Sequence, residues 1–167
     1  MKTMFSYALA ALAISTMMIP FSAESAGKAI RGKFSFDGIA NCENPPIQNF
    51  PVHTEGTAVL STDRNASIDM NSTSEGRVQL NGKLGGKPTE APGGSASLSV
   101  AGRHTLRAIR EYPNNYTVVN LTVIGNSCSM KVEDRLKPGK RQYTFPTSVG
   151  LAYCSKPQIT RTECSAF

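Results

Sequence analysis

No tryptophan occurs in this sequence, and aromatic residues make up only 7% of it. The first absence removes the buried indole that marks immunoglobulin-type sandwiches, and the second removes the interfacial girdles of a membrane-spanning barrel. Histidine is nearly missing as well, so a histidine base would have to be His53 or His104. No Cys-x-x-Cys pair is present, which argues against structural zinc and thioredoxin-like redox chemistry. Gly-x-Ser-x-Gly, a phosphate-binding glycine loop and His-Glu-x-x-His are all lacking, which removes the commonest signatures of hydrolases, nucleotide enzymes and zinc proteases. Asp69-Met70-Asn71 and residues 73–76 are polar but lack the spacing of a calcium loop. No apolar run reaches the ~20 residues of a membrane helix, and no helical period persists beyond the N-terminal segment.

What is present begins with an export signal. Lys2 supplies a positive start, residues 7–19 form the apolar stretch, and Ala23-Glu24-Ser25 places small residues for cleavage after Ser25 or Ala26. The expected organisation is a signal peptide over 1–26 and one domain over 27–167. Cleavage after Ala26 leaves 141 of the 167 residues, and the charge stays at +6 because Lys2 and Glu24 leave together. A secreted or periplasmic location follows, with an anionic polymer or surface as a candidate partner. The plainer role of that charge is solubility.

Four cysteines in an exported chain predict two disulfides. The preferred pairing is Cys42–Cys128 with Cys154–Cys164, because Cys128 is read on a core face. Cys42–Cys154 with Cys128–Cys164, and Cys42–Cys164 with Cys128–Cys154, remain open.

The strongest pattern lies in residues 103–145. Turn chemistry at Tyr112-Pro113-Asn114-Asn115, Gly125-Asn126 and Lys137-Pro138-Gly139-Lys140 divides it into a predicted four-strand antiparallel meander. A four-residue loop at the first turn sets Glu111 opposite Tyr116, Ala108 opposite Val119 and Leu106 opposite Leu121. The Gly125-Asn126 turn sets Val123 opposite Cys128, Leu121 opposite Met130 and Val119 opposite Val132. The third turn would set Val132 opposite Phe145. All three place the apolar residues on one face. Arg107, Asn120 and Lys131 then form one row on the wet face, and Glu111, Tyr116, Arg135 and Gln142 another.

Elsewhere the alternation predicts a strand over 30–36 with Ile30, Gly32, Phe34 and Phe36 inward, then a hairpin turn at Asp37-Gly38. Residues 43–55 carry three prolines and read as a stiff loop rather than a central strand. A hairpin over 57–70 is expected to set Val59 opposite Ile68. Val78, Leu80 and Leu84 point inward on the next strand, where Asn81-Gly82 is either a turn or a bulge. Residues 85–94 read as a second long loop. Ala96, Leu98 and Val100 share the face of the following strand, and two short strands end the chain. About ten short strands with this turn density give an all-β fold, an antiparallel sandwich or small barrel.

His53 with Glu55 is the candidate catalytic pair, and His104 falls at the rim of the core. The first and third meander turns share one end of the sheet, which gathers Arg110, Arg135, Lys137, Lys140 and Arg141 into a candidate basic tip. Glu111, Glu133 and Asp134 lie close enough to neutralise part of it. Asn-x-Ser/Thr sequons occur at Asn65, Asn71, Asn115 and Asn120. The residues call for no cofactor and no metal. Three functional readings remain: a non-enzymatic exported domain binding an envelope or extracellular partner, an envelope hydrolase acting through His53 with Glu55, and a secreted inhibitor of another protein.

Overall fold

A computed structural model describes residues 29–167 apart from 62, 74–75, 92–94 and 149. The expected signal peptide therefore lies outside the described residues, as do Ser74 and Glu75 of the polar stretch considered for calcium. Among the described residues the fold is all-β, with twelve strands in two antiparallel sheets. The larger sheet holds β1 (Ile30–Asn44), β2 (Pro46–Leu60), β3 (Asn65–Ser72), β4 (Gly76–Lys83), β10 (Tyr143–Thr147), β11 (Gly150–Cys154) and β12 (Gln158–Ala166). The smaller holds β5 (Thr89–Glu90), β6 (Ala96–Gly102), β7 (Thr105–Glu111), β8 (Asn115–Ile124) and β9 (Ser127–Leu136).

The register expected for β7, β8 and β9 is the register found, with Leu106 opposite Leu121, Leu121 opposite Met130 and Val119 opposite Val132. The inward residues Leu106, Ala108, Val119, Leu121 and Val123 meet Phe34, Phe36, Ile68 and Leu80 of the larger sheet in the main core. Ala96 and Leu98 join them as the alternation required, and Leu80 is buried while Val78 is half-buried. Leu84 lies just past the end of β4, half-buried.

The fourth strand of the expected meander departs. β10 pairs with β11 in the larger sheet, so Phe145 faces Ala152 instead of Val132, and Gln142 bonds Glu43 instead of joining the row of Arg135. Two constraints account for this. β12 lies beside β9 without pairing to it and is tied there through Cys128–Cys164. Phe145 also gains a second apolar cluster, with Tyr112 at 5.3 Å and Phe50 at 6.0 Å between ring centroids.

Asp37-Gly38 is not a turn. β1 continues through it, and the glycine admits a bulge in β12, where Thr160 is the extra residue. A Cβ on Gly38 would sit 3.0 Å from the Gln158 carbonyl oxygen, so the residue serves close backbone approach. Asn81-Gly82 is neither turn nor bulge: β4 runs through it in register, and Gly82 leaves room for the Leu98 and Val100 side chains of the facing sheet.

The proline-rich segment is a strand after all. The chain reverses at Asn44-Pro45, whose peptide bond is cis, and β2 returns along β1. Pro46 and Pro51 fall where β2 pairs only with β1, because pairing with β3 begins at Thr54. A residue without an N–H is tolerated on such an open edge. Asn49 takes a left-handed φ of 54° at a bulge opposite Asn41, and that shift turns Ile47 toward the same cluster as Phe50. In the next hairpin Arg64 adopts φ 69° and the Ser61 N–H donates to the Asn65 carbonyl at 2.8 Å, which moves the register by one residue. Ala58, not Val59, therefore faces Ile68. The two final strands fall where expected, and the loop over 85–94 contains the short β5.

The cysteines pair as Cys42–Cys154 and Cys128–Cys164, which corrects the preferred pairing. Cys42 and Cys154 are cross-strand neighbours on β1 and β11. Cys128 meets Cys164 across the seam between the sheets, so it never approaches Cys42. Non-reducing peptide mapping should return these two linkages, and any Cys42–Cys128 peptide would contradict the seam. Leu121 is fully buried, so Leu121→Ala should cost ~2–5 kcal/mol in denaturant melts as a core cavity. A loss below about half a kcal/mol would place that face in solvent.

Candidate functional site

Pairing of β12, β1, β2, β3 and β4 aligns outward side chains in rows across the larger sheet. One row runs Glu163, Ser35, Glu55, Asn71, Arg77, and the next runs Ser165, Lys33, Thr57, Asp69, Gln79. All of these but Gln79 line an open trough of about 1060 Å³ on the outer face. Phe34 packs beneath, on the core side of Gly56, where any Cβ would lie 2.6 Å from the ring. A bare glycine is therefore needed in the floor.

The charges are partly matched. Arg77 grips Asp69 through Nε, 2.8 Å from Oδ1, and Gln79 adds a bond of 2.9 Å. These contacts, the Arg77 hydrogen bond first, hold the Asp69 carboxyl down at about 2. Glu163 bonds Arg161. Lys33, Glu55 and Asn71 have no side-chain partner among the described residues, which leaves a donor cation, an acceptor anion and an amide facing the trough.

One row further along, His53 Nδ1 lies 2.6 Å from Asp37 Oδ1. The partner of the histidine is thus Asp37, read in the sequence as a turn residue, while Glu55 sits on the next row of the same strand face. A carboxylate on Nδ1 orients the ring and leaves Nε2 free as a base. No hydroxyl or thiol bonds that ring among the described residues, so no nucleophile is assembled beside it. His104 lies at the core rim as expected, with its carbonyl accepting from Val123 N–H at 2.9 Å.

The basic tip is dispersed. Arg110 is buried and donates to the Gly76 carbonyl, on the core face. Arg135 bonds Glu133, and Lys137 lies 3.0 Å from Glu111. Lys140 and Arg141 are exposed at the turn with no side-chain partner among the described residues. Glu111 and Glu133 neutralise as expected, but Asp134 does not reach the tip. It shares the inward row of Arg110 and Thr117 and accepts from the Thr117 hydroxyl.

Of the sequons, Asn115 is fully buried. Its Oδ1 accepts from the Thr144 amide at 2.7 Å and the Thr144 hydroxyl at 3.2 Å, so the folded protein cannot carry a glycan there. Among the described residues no three His, Cys, Asp or Glu side chains cluster as a metal site, and no helix is long and apolar enough to cross a membrane. Comparison with family models, with curated proteins and with solved structures finds no match to this chain.

Burial pushes the Asp134 carboxyl above the usual aspartate range, against the opposing hydrogen bond from Thr117. A raised folded value means that this group favours folding fully below the unfolded pKa of ~3.9 and loses that contribution as pH rises through the folded value. Asp134→Asn should therefore raise the melting temperature at pH 7, with the gain disappearing near pH 3. An unchanged or lower melting temperature at pH 7 would show that the charge is compensated in place.

Proposed function

We propose that this chain is an exported β-domain, without catalytic chemistry of its own, that binds a polar partner across the outer face of its larger sheet. The observation that carries the proposal is the trough, with Lys33, Glu55 and Asn71 facing it unpartnered. Unmatched polar groups in a concave site are what a ligand of mixed donor and acceptor character satisfies. The two disulfides fit an oxidising, extracytoplasmic setting. The hydrolase reading draws less support, because His53 has its orienting carboxylate in Asp37 but no nucleophile beside it.

Native mass spectrometry of protein purified from its own host should find a bound polar molecule. The double change Lys33→Ser with Glu55→Gln should reduce its retention at least tenfold. Both side chains lie on an outer face, so stability should stay within about half a kcal/mol. A protein that emerges bare, or a double variant that keeps its cargo, sinks the proposal. Hydrolysis that disappears in His53→Ala would favour the enzyme instead.

A further inference from the structure

The opposite side of the sandwich carries a second, separate feature. On the outer face of the smaller sheet the pairings align Ser99, Arg107, Asn120 and Lys131 in one row across four strands. Arg107 is half-buried, and its Nε is shielded from solvent with no hydrogen-bond partner. Directly opposite, the Asn120 amide also lacks a partner among the described residues. A buried donor left unmade costs about 1–3 kcal/mol, and cross-strand neighbours place their Cβ atoms ~5 Å apart. The two idle donors therefore belong to directly opposed residues on one face of the sheet.

The charge around these residues is positive. Lys131 lies 2.5 Å from Glu133 Oε1, and Arg135 Nε is 3.0 Å from Glu133 Oε2. Those two bonds, Lys131 first, hold the Glu133 carboxyl down at about 2, so it is ionised and fully occupied. With Arg107 added, three cations face one carboxylate. Glu111 is matched by Lys137, and Glu90 lies two strands away from Arg107, in the row of Ser97. The neighbouring row contributes Ile109 and Val118; Val118 points outward yet is only 1% exposed. An apolar, water-poor flank strengthens a charge-assisted bond at its side.

We propose that Arg107 and Asn120, supported by Lys131, form a binding site for an oxyanion, either a free phosphate-type ion or the anionic group of a larger ligand. The guanidinium edge supplies paired donors, the Asn120 amide a third, and the lysine ammonium long-range attraction. This site lies on the other side of the sandwich from the trough and does not depend on it.

The test uses the 15N-labelled full-length mature chain, with side-chain resonances of Arg107 Nε–H and Asn120 Nδ2 followed by NMR. Separate titrations use sodium phosphate, sodium acetate, tripolyphosphate and sodium chloride. Both resonances should shift and saturate with phosphate, and not with chloride at matched ionic strength. Tighter binding of tripolyphosphate than of phosphate would identify a polyanionic ligand as the source, and equal response to acetate would extend the class to carboxylates. Arg107→Lys should weaken phosphate binding at least tenfold, Asn120→Asp should abolish it, and Lys140→Ser at the distant turn should leave it unchanged. Absent shifts in the unaltered protein, shifts that chloride reproduces, or equal affinity in Arg107→Lys would each overturn the site. The first two readouts need no variant, so a misfolded substitution does not protect the proposal.

Discussion

β1 is bonded along both of its sides, and the rest of the larger sheet takes its register from that strand. β2 runs back along one side from Glu43 to Ile30, while β12 and then β11 occupy the other. A strand paired on both sides has its alternation fixed twice. Phe34, Phe36 and Ala40 consequently point into the cores, and Lys33, Ser35 and Asp37 point outward. A slip of one residue would place Lys33 and Asp37 among the apolar side chains and put Phe34 in the trough. The rows that build the candidate site are thus the reverse side of the packing that builds the core.

Two unlike fasteners join the two sheets. Along one seam, Cys128–Cys164 ties β9 of the smaller sheet to β12 of the larger. At the end nearer the second cluster, the turn between β7 and β8 reaches across to β10. There Asn114 N–H donates to the Thr144 hydroxyl at 3.0 Å, and Asn115 Oδ1 accepts the Thr144 amide. Those bonds satisfy part of an otherwise open strand edge, and Pro146 on the same strand offers no donor. Elsewhere the exposed edge of β2 is blunted by Pro46 and Pro51. Together these devices suppress edge-to-edge pairing in a fold with many strands.

How legible each part was in the sequence depends on how local its determinants are. β7, β8 and β9 were readable to the residue, because each turn names its own type and the alternation confirms it within ten residues. The errors arose where one residue type answers to two physical demands. Gly38 and Gly82 sit beside Asp and Asn as hairpin glycines do, yet each is there because another strand comes close, through its backbone at Gly38 and its side chains at Gly82. Three prolines over 45–51 look like loop chemistry, but they mark an edge and a turn. Neither distinction is visible until the partner strand is known. The destination of β10 and the cysteine pairing were hidden for the same reason: both follow from β12 lying beside β9, and those strands are joined only by distant sequence.

The candidate sites extend that logic. Lys33, Glu55, Asn71, Asp69 and Arg77 share a surface because four successive strands fold antiparallel, and Glu163 joins them only through β12. No local motif encodes such a grouping. Arg107, Asn120 and Lys131 are the exception, since the meander turns alone place them in one row. Their alignment was readable; what the sequence withholds is that the Arg107 Nε is sheltered and idle while Arg135 and Lys137 are engaged with carboxylates. Formal charge therefore misdirects attention to the turn, where cations are most numerous. Lys140 and Arg141 at that turn are unpaired as well, but water satisfies them, whereas the Arg107 Nε on the sheet face is shielded from solvent and has no partner.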